Sequence, residues 1–274
     1  MAGFRDILGQ KSVIAHMKKA VSMGKTSHAY ILNGEKGMGK KLLAHAFSMT
    51  LQCEQGGEEP CMECRSCKQA EGRNHPDIKW ITHEKPNTIS VEEVRDQLVN
   101  DMAIKPYSGK YKIYIIDEVH MLTQSAFNAL LKTLEEPPSY VIFILATTEA
   151  HKIPVTIMSR CQRYDFKRIT AETICARLTE LMDKEAVDVE EKALRYIAKA
   201  ADGSMRDALS LLDQCIAFYL GKKLTYDNVL EVLGALDTDV YSGLLRKIIK
   251  RDIPAVMSDV EDIVMQGREL SQFV

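Results

Sequence analysis

At 274 residues the chain has room for two or three domains of ordinary size. With 46% hydrophobic and 27% charged residues, it has the make-up of an ordinary soluble globular protein. Its formal charge of −2 argues against a module that grips DNA alone, since such proteins replace phosphate counterions with Lys and Arg. Any work on DNA then falls to an assembly that shares the charge. Residues 1–6 hold no apolar signal core, and no stretch approaches the ~18 apolar residues of a membrane span, so a cytoplasmic location without a membrane partner is expected. In that reducing compartment, the seven cysteines point to metal binding or packing rather than disulfides.

In chain order, Ile7, Leu8, Val13, Ile14, Met17, Ala20 and Val21 recur at helical spacing and predict a helix over 5–25. Tyr30–Asn33 is a short apolar run that ends in a Gly-rich loop, as a buried parallel strand does. Helical periodicity returns over Lys40–Gln52. Residues 53–76 are polar and rich in Gly and Cys, and read as an insertion. Asp77–Ile81 predicts a second strand, and Ser90 with Glu93 forms a capping box that opens a helix. Tyr111–Ile116 is a strand ending at Asp117-Glu118; a helix over 123–135 is closed by Pro137-Pro138; Tyr140–Ala146 is a buried strand ending in Thr147-Thr148. Beyond Ile169 only helical patterns remain. Strands alternating with helices, then helices alone, predict an α/β domain with a parallel sheet and a helical lid.

Gly34-Glu-Lys-Gly-Met-Gly-Lys40-Lys41 follows G-x-x-x-x-G-K-[ST] up to its last position. Gly34, Gly37 and Gly39 let backbone wrap phosphates, the next helix aims its N-terminus at them, and Lys40 brings charge to the β/γ oxygens. Lys41 stands where a Ser or Thr hydroxyl should hold magnesium, and an ammonium cannot ligate a cation. The competing reading is a Gly-rich turn without ligand; the companion motifs argue against it. Asp117-Glu118 after an apolar strand has the Walker B form, with Asp117 to anchor magnesium and Glu118 to act as general base. Thr148, at the end of the next strand, could sense a γ-phosphate, or belong to a plain strand-end turn. Arg206, at the start of a lid helix, could touch the same phosphate, or pair with Asp207 or Asp213.

Cys53, Cys61, Cys64 and Cys67 give C-x7-C-x2-C-x2-C, the donor set of a closed structural zinc site. The insertion has little apolar content, so metal would supply the stability a core cannot. His75 is the weaker ligand candidate, and Cys161 and Cys215 read as packed thiols. Ser159-Arg160-Cys161 places an arginine that could reach a neighbour's phosphate site, or could be an ordinary surface arginine.

Together these residues resemble the AAA+ subunits of the bacterial DNA polymerase III clamp loader. Ser159-Arg-Cys161, the cysteine insertion behind the P-loop helix, and Asn128-Ala-Leu-Leu-Lys-Thr-Leu-Glu-Glu-Pro-Pro138 carry the resemblance, which covers the whole chain. It implies an AAA+ P-loop domain over 1–168, a helical lid over 169–228 and, over 229–274, the start of a helical collar cut short at Gly267–Val274. It also implies ATP as ligand, Arg160 acting in trans, and Gly9-Gln10 flanking the adenine. The implied partners are other clamp-loader subunits, the sliding clamp and primed DNA, within a polymerase holoenzyme whose polymerase chemistry lies elsewhere. Up to Asp117 the likeness is to delta-prime subunits, through Lys41 and His83–Ser90; from Glu118 it is to gamma/tau, through Val119-His-Met-Leu-Thr, Leu145–Glu149 and Gly203–Gln214. That division reads as a hybrid of two paralogues joined near Lys112–Glu118. Two mechanisms stay open, ATP hydrolysis by this chain or an ATPase-dead stator, the latter favoured by Lys41. The alternative functions are a non-replicative AAA+ enzyme, such as a helicase loader or branch-migration motor, and a zinc-dependent DNA-binding module acting alone.

Overall fold

The computed structural model of the protein describes residues 3–81, 98, 100–234 and 238–265. The helix expected from Ser90 and the His83–Ser90 and Gly267–Val274 segments lie outside the described residues. The chain divides into two compact units, one of residues 1–173 with 203–206, the other of residues 174–202 with those from 207 onward.

The first unit is built on five parallel strands: β1 (Ala29–Asn33), β2 (Ile78–Ile81), β3 (Lys112–Ile116), β4 (Val141–Thr147) and β5 (Gln162–Asp165), in the order β2-β3-β4-β1-β5. β1, β3 and β4 are apolar on both faces because helices cover both, as a parallel sheet requires. Their side chains alternate between two cores. Tyr30, Leu32, Ile113, Ile115, Ile142 and Ile144 pack with α1 (Lys11–Ser22) and α2 (Lys40–Gln52), through Val13, Met17, Leu43 and Phe47. Ile31, Tyr114, Ile116, Phe143 and Leu145 pack with α4 (Gln124–Glu135), through Ala126, Phe127, Leu130 and Leu134. Between α2 and β2 lies α3 (Arg65–Glu71), inside the cysteine insertion, and after β4 comes the single turn α5 (Val155–Met158).

One expectation is corrected. The helix expected over 5–25 is a 3-10 turn at Phe4–Asp6, a break, and then α1. Gly9 makes the break with φ +76°, and a Cβ there would meet Ile169 at 3.1 Å. Beside it, buried Gln10 donates to the Lys167 carbonyl at 2.7 Å and accepts from the Lys167 amide at 3.1 Å. Beyond the strands expected, the sheet also holds β5, to which the sequence reading assigns no element. Of its four residues only Tyr164 is buried, so the stretch reads as polar chain; it is the sheet's edge beside β1.

The second unit is helical: α6 (Ala171–Glu185), α7 (Glu191–Ala200), α8 (Met205–Phe218), α9 (Tyr226–Val232), α10 (Thr238–Ile249) and α11 (Ile253–Met265). α9 packs on α7, and its start is fixed by a reciprocal capping box between Thr225 and Asn228. On α10 the apolar positions are only partly covered. Leu244 is buried, whereas Leu245 and Ile248 are exposed; the Val240 side chain lies outside the described residues. Among the described residues, no helix is long and apolar enough to cross a membrane.

Candidate nucleotide site and cysteine cluster

β1, β3 and β4 end side by side, and in an open parallel sheet ligands bind beyond such carboxyl ends. The loop 34–39 leaves β1 and turns into α2 through Gly37 (φ +77°) and Gly39 (φ +90°). The neighbours require glycine as well. A Cβ at Gly34 would lie 2.7 Å from the Phe166 Cβ, and one at Gly37 would lie 1.8 Å from the Ser204 Oγ. The loop, α2, Asp117, Glu118, His120, Thr148, Glu149 and Arg206 enclose a cavity of about 780 Å³.

Lys40 opens α2 and is almost fully buried; its ammonium donates to the Gly34 and Glu35 carbonyls at 2.5 and 2.9 Å. Burial pushes its pKa down, while the nearby charges of Glu118 and Asp117 pull it back up. Backbone amides at the N-terminus of a thirteen-residue helix, with a lysine held at the loop mouth, fit phosphate groups. The next residue breaks the pattern. Lys41 Nζ lies 2.6 Å from Asp117 Oδ2, and Asp117 Oδ1 is buried with no hydrogen-bond partner among the described residues. A magnesium ion does not fit here, because no hydroxyl is present at position 41 and an ammonium already sits on the carboxylate.

Glu118 adopts a left-handed backbone conformation (φ 48°, ψ 51°), sparsely populated for a residue with a side chain. That turn aims its carboxylate across to β4. Glu118 Oε2 accepts from the Thr148 amide at 3.2 Å and from the Thr148 hydroxyl at 3.1 Å, with His120 Nδ1 3.4 Å away. His120 also contacts the buried Thr147 hydroxyl at 3.0 Å and Glu149 at 3.1 Å. The Glu118–Thr148 link is not evident in the sequence; the signal available is that each closes a buried strand. Arg160 does not line the cavity. It donates to the Thr156 carbonyl at 2.7 Å and to Glu135 at 3.1 Å, on a partly exposed surface.

At the far end of α2 the four cysteines converge, with all sulfurs within 4.8 Å of one another. Sγ of Cys61 and Sγ of Cys67 are 3.9 Å apart, against the ~3.8 Å that a tetrahedron with Zn–S bonds of ~2.3 Å demands. The Cys64 and Cys67 amides donate to the Cys61 and Cys64 sulfurs at 3.3 Å each. Donated backbone N–H bonds bring the Cys61 thiol down to about 7, whereas burial pushes Cys67 up. The donor set fits a zinc ion held by Cys53, Cys61, Cys64 and Cys67. His75 is engaged elsewhere: its Nδ1 accepts from the Asp77 amide at 3.1 Å, leaving Nε2–H to donate to Ser66 Oγ at 2.9 Å. Cys161 is partly buried, its thiol pushed up to about 12, and Cys215 is fully buried; both are packed.

Buried Asp77 is an anchor that the sequence does not reveal. It accepts from the amides of Tyr107, Ser108 and Gly109 at 2.6–2.8 Å, and from the Ser108 hydroxyl at 3.2 Å.

Residues 9–170 match the family model for the DNA polymerase III delta subunit, and residues 173–221 match that for the clamp-loader ATPase lid domain. DNA polymerase III subunit tau of Bacillus subtilis is 44% identical over 99% of this chain and 48% of its own length. The tau subunit of Escherichia coli is 39% identical over 97% of the chain and 41% of its own length. The gamma subunit of Buchnera aphidicola subsp. Acyrthosiphon pisum is 38% identical over 99% of the chain and 74% of its own length. The chain thus spans somewhat under half of these tau subunits, and each match runs across the 117–118 division. Among solved structures, the Thermotoga maritima RuvB Holliday junction branch migration motor superposes with a TM-score of 0.59 at 17% identity, over 97% of this chain and 84% of that one. At that identity the likeness is one of fold, the AAA+ fold.

Proposed function

Because the chain belongs to the family of DNA polymerase III clamp-loader subunits, we propose that it is a clamp-loader component that binds ATP with little or no turnover of its own. The observation that carries this reading is the Lys41 ammonium 2.6 Å from Asp117. The loop amides and Lys40 hold the triphosphate, and Arg206 and Thr148 stand where a γ-phosphate would reach. Glu118 is the residue that could take a proton from an attacking water. Its carboxylate is held by two Thr148 hydrogen bonds, which must loosen before it can act. Asp117, paired with an ammonium, holds no metal for that reaction.

Arg160 lies apart from the chain's own cavity, so its guanidinium is offered to a neighbouring subunit's nucleotide, where a planar cation stabilises the transferring phosphoryl group. The four cysteines hold zinc as a structural ion, since four thiolates leave no open position. The partners are the other clamp-loader subunits and, through the complex, the sliding clamp and primed DNA in the cytoplasm. The likeness to the RuvB motor is of fold alone. The cysteine insertion and Ser159-Arg160-Cys161 favour the clamp loader over a branch-migration or helicase-loading role.

The test is phosphate release by the purified chain beside Lys41→Thr, each alone and in the reconstituted complex. The variant is expected to hydrolyse at least about tenfold faster than the parent, the equivalent of ~1.4 kcal/mol of barrier. Turnover by the parent equal to the variant's would overturn the reading.

A further inference from the structure

We propose that Lys41 is the site's built-in counter-cation, so that this chain binds nucleoside triphosphate without magnesium. The inference rests on the reading of the cavity as a nucleotide site and adds what neutralises the nucleotide there.

Three observations carry it. First, Lys41 Nζ sits on Asp117 Oδ2 at 2.6 Å, while Asp117 Oδ1 is closed off from solvent and without a partner among the described residues. One oxygen of that carboxylate already carries a cation and the other is closed off, so a hydrated divalent ion, which keeps several waters and needs octahedral room, would have to displace the ammonium. Second, the charge lining the cavity is already supplied by side chains: Lys36, Lys40, Lys41 and Arg206 stand against Asp117, Glu118 and Glu149. A triphosphate normally brings magnesium to offset its own charge; here four cations against three carboxylates leave the wall net positive, so part of that offset is already in place. Third, the two lysines differ in freedom. Lys40 is buried and fastened to two loop carbonyls, whereas 62% of the Lys41 side chain is exposed. An ion pair so exposed is worth at most about 1 kcal/mol, so the ammonium can keep one N–H on Asp117 and turn the others to phosphate oxygens at small cost.

An ammonium neutralises charge and donates hydrogen bonds, but it offers no coordination position at which a water is bound and made acidic, as a divalent ion does. The same residue therefore permits binding and withholds turnover. The nucleotide then acts as a standing part of the subunit, insensitive to magnesium.

The experiment is equilibrium binding of a fluorescent ATP analogue, with unlabelled ATP as competitor, to the whole chain. It is run in magnesium-containing buffer and in resin-treated buffer without magnesium, with no chelator, so that the cysteine cluster keeps its metal. For the parent, Kd should differ by less than about threefold between buffers. For Lys41→Thr it should weaken by about tenfold or more when magnesium is withdrawn, about 1.4 kcal/mol. Lys41→Met, which keeps the length and loses the charge, should bind more weakly than the parent in the magnesium-free buffer, so the proposal stays exposed if the threonine variant fails to fold. Parent binding that needs magnesium overturns the counter-cation alone; no parent binding in either buffer overturns the nucleotide reading with it.

Discussion

The two ends of α2 meet the same problem, a concentration of anionic donors, and solve it in opposite ways. At the N-terminal end the chain supplies its own cation: Lys41 faces Asp117, and Lys40 is fastened into the loop beside it. At the C-terminal end, from Cys53 on, four sulfurs converge within 4.8 Å of one another. A motif match alone suggests magnesium at the first end, and the donor chemistry removes it. At the second end the four thiols make a donor set that fits a metal ion. On the proposed reading, dependence on a metal turns on the residue opposite the carboxylate or thiolate rather than on the presence of an acidic motif.

The comparison breaks most sharply at the cysteine end. Stripping zinc, or Cys64→Ser with Cys67→Ser, should abolish metal binding measured by atomic emission. It should also destabilise the first unit by more than about 5 kcal/mol, since structural zinc contributes ~10–16 kcal/mol in small modules. An unchanged melting curve after complete zinc loss would show that the insertion stands on its packing, through Cys67 and Ala70, instead.

Asp77 sharpens the contrast, because it fastens the chain just past the insertion without any metal. Asp77→Asn should cost about 2–4 kcal/mol in chemical denaturation, as a buried carboxylate that satisfies several amides is replaced by a group that cannot. Burial alone would raise its pKa, but the amides of Tyr107, Ser108 and Gly109 outweigh it and hold the carboxyl below its ordinary 3.8. A depressed folded-state pKa means that the unfolded chain takes up the proton first. The contribution is therefore complete above the ordinary value and is lost as pH falls through the lower folded one. Acid titration of parent and variant should converge only there.

At the P-loop end, Lys40→Ala should weaken ATP binding by about 10–100-fold, the worth of one or two charge-assisted hydrogen bonds. It should not lower thermal stability, because burial depresses the Lys40 pKa and the ammonium is held at a cost. Parent-like binding by this variant would move the nucleotide out of the cavity.

Much of the fold and of the site is legible in the chain. Buried strands such as Tyr30–Asn33 and Tyr140–Ala146 announce themselves as apolar runs, and the glycine and cysteine spacings are local patterns that little else produces. What escapes is relational. Position 41 reads as a missing hydroxyl, but only the fold reveals that its replacement faces Asp117. Thr148 reads as a phosphate sensor, and only the fold reveals that its hydroxyl and amide also hydrogen-bond Glu118, thirty residues earlier. Asp77 reads as the first residue of a strand and is an anchor for a loop that follows it by thirty residues. β5 escapes for a different reason: an edge strand buries one side chain in four and gives periodicity little to report.

The contact between Gly37 and Ser204 has a practical bearing on directed evolution. With a Cβ placed 1.8 Å from that hydroxyl, and φ at +77°, any other residue at codon 37 is strained and must turn the Ser204 hydroxyl aside. A saturation library at this codon should be dominated by glycine. Any other survivor would be a genetic reporter of a chain in which Ser204 has moved away, selectable without a structure.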